Sequence, residues 1–329
     1  MKYLCAVRSL ANTGGPRSRY DWFMSFISIL FALLLEQARP LAQQNPIHNG
    51  ARSWVRWVNR NLDAGQSVHG WLALAVSVGV PGVLVMGVHW ALVWSLGWAS
   101  AVAWNIAVLY STLGFRQFSH HFTGIRDALG AGDEVLARER LARWMRIDAS
   151  ELPRSEIVRH VIEYSVICAH RHVFGVFAWY SLLAALGLGP AGAVMYRMSE
   201  FVVRYVNRPL RPSSSPVSEA LQHQATVVWA WIDWAPARIT ALGFAFVGSF
   251  EDAVDNWRHQ EAQSPRDNDG VLLASTAGAV NVKLGPLGGT GAGQTPQPAH
   301  LRAVVGLLWR SVVMWMVVLA LLSMARLLG

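Results

Sequence analysis

Asp233, Pro236 and Arg238 are the residues whose types and spacing point most directly to chemistry. They sit inside an apolar run from Val227 to Phe250, VVWAWIDWAPARITALGFAFVGSF. About 20 residues at 1.5 Å each suffice to cross a bilayer, so the run is long enough. A charged side chain near the bilayer centre costs roughly 2.5–3.5 kcal/mol or more, so intramembrane ions point first to function. Pro236 has no N–H and its ring clashes with the Ile232 carbonyl, which must find another partner. The segment is either a broken helix facing protein or water, or a helix lying at the interface. Both hold a polar point in apolar surroundings, suited to binding a polar substrate group. The competing reading is an Asp233–Arg238 pair that only fixes packing. A straight helix would hold the two about 140° apart, but a kink at Pro236 changes that and frees the Ile232 carbonyl for Arg238. Tyr196-Arg197 offers an anion site or, alternatively, an arginine snorkelling from a helix end. His120-His121, His160, His170 and His172 raise a metal site. Positions 170 and 172, two apart, face different sides of a helix, and no metal is expected. The glycines of 278–289 carry no GK[ST] phosphate motif.

The elements that must position these residues are membrane helices. Of 329 residues 53% are hydrophobic and only 15% charged, against about a quarter charged in soluble domains. Sixteen tryptophans suit membrane–water interfaces. The net charge of +8 fits cytoplasmic loops. No basic run interleaved with aromatics suggests a nucleic-acid partner. Cys5 and Cys168 form neither a zinc spacing nor a CxxC, so no disulfide framework is implied. The expectation is an all-α polytopic integral membrane protein with about four to six membrane helices and a helical cytoplasmic subdomain. The lipid bilayer is its first partner.

Residues 1–23 read as a leader, with Met24 as an alternative start, followed by an apolar helix ending at Glu36. A basic connection over 42–69 carries Trp54, Trp57 and Val58 at interface-helix spacing. Trp71 to Tyr110 holds no Asp, Glu, Lys or Arg and reads as two helices joined near Trp94–Trp98, the first kinked at Pro81. Residues 113–172 read as the cytoplasmic insertion, with Ala137, Leu141, Trp144 and Met145 on one helical face. An apolar helix over 173–188, a helix over 193–206 and a Pro/Ser-rich loop over 207–221 follow. Residues 251–302 read as a Gly/Pro-rich loop containing a short amphipathic stretch, before a terminal membrane helix from Ala303 to Met324. The arginine-rich 37–69 and 113–172 segments, separated by two spans, fall on one side, and the positive-inside rule makes it cytoplasmic. The expected location is the inner (plasma) membrane.

Four tracts in order resemble the CobD/CbiB membrane proteins of cobalamin biosynthesis. Ser264-Pro265, Asn268-Asp269-Gly270 and Ala277 to Gly285 (AGAVNVKLG) are similar to that family's "SPN-x-G … AGALGV-x-LGG" tract. Pro236 to Ala241 (PARITA) resembles "PARLTA". Arg126-Asp127-Ala128-Leu129, Gly189 to Ala193 and Tyr196-Arg197 are also similar. Asp233-Trp234-x-Pro236-x-Arg238 resembles the AmpE proteins, membrane modulators of β-lactamase induction. The likeness runs from about Met24 to the C-terminus. It implies a family domain over 24–329 with Arg126, Tyr196, Arg197, Asp233, Arg238, Ser264, Asn268 and Gly270 as candidate substrate-binding residues and Pro236 as structural.

The family reaction joins an aminopropanol unit to a carboxylate of adenosylcobyric acid, as in an adenosylcobinamide-phosphate synthase. It implies a corrinoid substrate, with ATP and Mg²⁺ where that activity is kept. This chain departs from the pattern. Phe174 stands where the family's "AEN-x-x-DG" tract has a carboxylate, Trp229 and Ala230 where it has paired aspartates, and Met198 to Tyr205 replaces "NTLDSMVGY". Phosphate-bound Mg²⁺ needs carboxylates, and Asp233, Glu200 and Glu163 remain. Two readings stay open: an amide-forming ligase of the cobalamin pathway, and a non-enzymatic signalling modulator like AmpE.

Overall fold

A run of apolar blocks punctuated by Gly, Pro and Asp folds as a helical array. The computed structural model describes residues 16–39, 46–208, 217–285 and 293–328. Fourteen α-helices follow in order among them: α1 Pro16–Ala38, α2 Pro46–Leu62, α3 Ser67–Ser95, α4 Trp98–Thr112, α5 Phe115–Gly130, α6 Glu134–Met145, α7 Arg154–Ala169, α8 Gly175–Ala185, α9 Ala191–Val206, α10 Glu219–Ile232, α11 Trp234–Val247, α12 Phe250–Gln263, α13 Asn268–Val280 and α14 Pro298–Leu328. A π-helical turn, His170–Phe174, joins α7 to α8. The β pairing seen is a lone bridge between Val282 and Gln294.

Three helices are long and apolar enough to cross a membrane by length and composition: Ser67–Ser95, Arg154–Ala185 and Pro298–Ala325. Met24–Ala38 and Trp234–Val247 are shorter apolar helices. The chain is an all-α membrane protein. Its outer surface carries Trp71, Trp94, Trp98, Trp231 and Phe246, an apolar exposure that suits lipid rather than water.

Several boundaries differ from the expectation. The polar 113–172 insertion has no edge at 172, because α7, the π turn and α8 form one continuous helical run through it. Ala137 and Leu141 are fully buried, as their spacing predicts. Residues 251–302 are not a loop throughout. They fold into the α12–α13 hairpin, and α13 is buried along most of its length. Composition misleads here because small residues permit close packing as well as turns: a Cβ on Gly278 would strike the Asp252 carbonyl. Pro81 lies within an unbroken α3. Helix α1 runs continuously from Pro16 through Met24, while residues 1–15 of the leader and 209–216 of the Pro/Ser loop lie outside the described residues.

The interior has two apolar clusters. The larger joins α1, α4–α8, α11, α13 and α14, and the smaller joins α2, α3 and α10. Helix α9 belongs to both: Ala193, Tyr196 and Val203 face the first, and Met198, Phe201, Val202 and Val206 the second. Between those faces runs a polar stripe, Arg197, Glu200 and Arg204, at helical spacing.

Candidate functional site

The break in the Val227–Phe250 run falls at Asp233, three residues before the proline. Asp233 ends α10 and starts α11, with φ −85° and ψ −9°. Its N–H still donates to the Trp229 carbonyl and its carbonyl still accepts from Ala237, both at 2.9 Å. Pro236 sits in the first turn of α11, where a missing N–H is tolerated. The Ile232 carbonyl takes the Trp179 indole N–H at 3.0 Å, not Arg238. The break therefore leaves no backbone acceptor stranded at Ile232.

Asp233 and Arg238 do not pair; each belongs to its own network. Asp233 is fully buried, and its Oδ1 accepts the Tyr196 hydroxyl at 2.7 Å and meets His170 Nε2 at 2.8 Å. Nε2 of His170 is the donor in the tautomer that carries its proton on that nitrogen. His170 Nδ1 lies 3.0 Å from Thr240 Oγ1. With both donors on Oδ1, Oδ2 of Asp233 is buried and unpartnered. An orphaned buried polar atom is uncommon and calls for a physical explanation. The Tyr196 hydroxyl reaches Asp233 because residue 175 is glycine: a Cβ there would overlap the Tyr196 ring and hydroxyl.

The π turn is what gathers the site. Such turns are frequent at functional sites, and here consecutive side chains serve three directions. His170 faces Asp233, Arg171 donates to Asp269 Oδ2 at 2.6 Å, and His172 lies among the charges of Arg197, Glu200 and Arg204. Arg171 also stands over the Trp229 ring, 5.6 Å from its centre, and Trp229 packs against Tyr196 at 5.3 Å. Asp269 Oδ1 and Arg171 Nε are buried without partners as well. A carboxylate half thus lies beside a cationic half, with unsatisfied atoms in both.

Arg238 serves a junction. It donates to Glu261 Oε1 at 2.6 and 2.9 Å, to Asn268 Oδ1 at 3.1 Å, and to the Trp234 and Pro265 carbonyls. Its guanidinium lies 4.3 Å from the Trp234 ring centre. Asn268 in turn donates to the Ala230 carbonyl at 3.0 Å, and Asp267 caps α13 by accepting the Gly270 N–H at 2.9 Å. The Ser264–Gly270 tract so locks the α12–α13 hairpin onto the α10–α11 break. Ser264 is exposed and ends α12. Arg126 pairs with its neighbour Asp127 at 2.9 Å on α5 and joins neither network. Glu163 accepts the Gly285 N–H at 2.8 Å, fastening the segment that leads toward the glycine-rich tract.

Sequence reasoning singled out Asp233, Tyr196 and Arg197 but gave no role to Arg171, Asp269 or Glu261, whose partners are 98 and 23 residues away. It gave His170 no partner because the residues His170 meets, Tyr196, Asp233 and Thr240, lie 26 to 70 positions away. Among the described residues no group of three or more His, Cys, Asp or Glu side chains is poised around a metal ion.

Residues 29–202 match the family model described as CobD/Cbib protein. The chain is 27% identical over 314 residues to Cobalamin biosynthesis protein CobD of Stutzerimonas stutzeri, which spans 89% of this chain and 96% of that protein. It is 28% identical over 233 residues to a CobD of Chromobacterium violaceum, covering 64% and 67%. It is 25% identical over 245 residues to Cobalamin biosynthesis protein CbiB of Salmonella typhimurium, covering 70% and 75%. No solved structure matches.

Proposed function

The chain belongs to the CobD/CbiB family, and from that premise we propose that it is an inner-membrane enzyme of cobalamin biosynthesis, joining an amino-alcohol unit to a corrinoid carboxylate as an amide. The observation that carries the reading is Asp233 Oδ2, a buried carboxylate oxygen with no donor. It lies beside a buried tyrosine and a cationic Arg171 whose Nε is also unpartnered. An incoming amine brings N–H donors for Asp233, and a corrinoid carboxylate brings acceptors for Arg171. His170 and Tyr196 hold the Asp233 carboxylate in one orientation. Trp229, packed against Tyr196 and beneath Arg171, gives the site an apolar wall, and water excluded there would not compete with the amine.

The family's acidic positions at Phe174, Trp229 and Ala230 are apolar here, so the acidic function falls to Asp233 and Asp269. ATP with Mg²⁺ would activate the carboxylate for attack. Mg²⁺ takes one or two carboxylates with phosphate oxygens, and the unpartnered Asp233 Oδ2 and Asp269 Oδ1 fit that need. The arginine-rich 37–69 and 113–172 segments would lie on the cytoplasmic side.

Complementation tests the reading. A strain lacking its own family member is given this chain and cobyric acid, and growth that needs cobalamin is scored with the amidated corrinoid measured by mass spectrometry. The wild type and the surface variant Arg143→Gln should restore both. Asp233→Asn should restore neither while accumulating in the membrane. Failure of the wild type, or full rescue by Asp233→Asn, would sink the proposal and favour a non-catalytic role.

A further inference from the structure

The Asp233 cluster ends in a hydroxyl to which the proposed reaction gives no part. Thr240 is buried on α11, seven positions after Asp233, so two helical turns bring both side chains to one face. His170 lies between them, with Nδ1 3.0 Å from Thr240 Oγ1 and Nε2 2.8 Å from Asp233 Oδ1. Buried helical hydroxyls elsewhere donate to the carbonyl four positions back: Ser28 to Met24, Ser199 to Met195, Thr276 to Leu272 and Ser311 to Leu307. Thr240 does not. Among the described residues the hydrogen-bond partner of its hydroxyl is His170 Nδ1. A buried hydroxyl proton needs an acceptor. It has one here only when Nδ1 carries a lone pair, and a neutral imidazole with a bare Nδ1 carries its proton on Nε2. The Asp233 end agrees. Nε2 faces two oxygens, Asp233 Oδ1 and the Tyr196 hydroxyl at 3.4 Å, and the Tyr196 proton already goes to Oδ1 at 2.7 Å. With the ring proton on Nδ1 instead, a lone pair on Nε2 would face the carboxylate, and the Thr240 proton would have no acceptor.

We propose that Thr240 is a positioning residue: its hydroxyl donates to His170 Nδ1, orients the ring and holds its proton on Nε2, where it is donated to Asp233. The hydrogen bonds then run one way, from Thr240 to His170 to Asp233, and Tyr196 joins them at Oδ1. Two donors on one oxygen fix the carboxylate plane. Oδ2, which has no partner, is left as the acceptor offered to a ligand. The proposal rests on the amide-forming reading, in which Oδ2 takes an N–H of the amine. Thr240 touches no substrate and acts through His170 alone. Serine at 240 keeps the donor. Valine keeps nearly the same shape and loses it, leaving a buried ring nitrogen without a partner.

The test is nitrogen NMR of the full chain in detergent, with isotope-labelled histidine and the His170 signals identified by their loss in His170→Gln. In the wild type Nε2 should carry the proton and Nδ1 should appear as a hydrogen-bonded acceptor. Thr240→Ser should match it. Thr240→Val should move the Nδ1 signal toward that of a bare lone pair or of a protonated nitrogen. Should Thr240→Val not accumulate, Thr240→Ala is read in its place. In the complementation strain the amidated corrinoid should fall by about tenfold with Thr240→Val, the worth of one hydrogen bond. It should return with Thr240→Ser at equal membrane abundance. A wild-type His170 with a proton on Nδ1, or an Nδ1 signal unchanged by Thr240→Val, overturns the proposal. So does a shifted signal with undiminished amide formation. If the wild-type chain itself makes no amide, the amide-forming reading fails, while the NMR still decides whether Thr240 sets the His170 proton.

Discussion

At the scale of single residues, Asp233 is held from one side and left open on the other. Tyr196→Phe removes one of the two donors on Oδ1 and leaves the packing on Trp229. It should lower stability by about 1 kcal/mol, the net worth of one hydrogen bond. His170→Ala removes the other donor, orphans Thr240 and opens a cavity, so it should lower stability by about 2–4 kcal/mol. Detergent melting of the two variants checks the order. Glu200 gives a pH signature. Its folded pKa, about 2, lies below the unfolded value of 4.5, so its stabilising contribution is complete above about pH 4.5 and fades as pH falls toward 2. The wild-type melting midpoint should therefore fall more steeply from pH 5 to 3 than that of Glu200→Gln. Parallel curves would show that Arg197 and Arg204, which both meet its Oε2, do not hold the carboxyl down. Asp233 was legible in the sequence because a charge in an apolar run is conspicuous. Its partner His170 was not, because contacts across 63 residues leave no local pattern and a π turn shifts the register by one.

At the scale of elements, the break at Asp233 and the α12–α13 hairpin are one assembly, joined through Arg238. Arg238→Gln and Glu261→Gln share a contact and should be non-additive in a double-mutant cycle. Asp233→Asn and Arg238→Gln share no partner and should be additive within about 0.5 kcal/mol. Strong coupling between the latter two would restore the ion pair suggested by their nearness in sequence. The hairpin itself depends on close backbone approach. Gly278→Ala meets the Asp252 carbonyl, which cannot swing aside as a side chain can, and should lower stability by about 1–3 kcal/mol. Gly306→Ala, in α14 with nothing within reach of a Cβ, should be neutral or stabilising by up to about 1 kcal/mol. The helices of long apolar period, α3 and α14, were legible because membrane solvent imposes one rule on every residue. Helix α13 was read as loop because Gly, Asn and Asp signal turns, and tertiary contact outweighs that propensity.

At the scale of the whole molecule, the helical membrane architecture followed from block hydropathy, but its threading did not. The inference that α2 and the α5–α6 hairpin share a side assumes that α3 and α4 both cross. Helix α3 has 29 residues, about 43 Å, more than a hydrocarbon core of about 30 Å. Helix α4 has 15, about 22 Å, and is absent from the helices long enough to span. The arginines of both polar regions argue for one cytoplasmic side, and local thinning of the bilayer or flanking residues at the interface can accommodate a short helix. Single cysteines settle this in a Cys5→Ser, Cys168→Ser background. Ser53→Cys lies on the exposed face of α2, and Ala131→Cys lies on the exposed turn after α5. Ala131 is a better position than Gly132, whose φ of +78° strains any side chain. In intact cells both cysteines should resist a membrane-impermeant thiol reagent and react after permeabilisation. Labelling of one alone would mean that α4 does not return the chain. Labelling of both would place the arginine-rich regions outside and reverse the orientation.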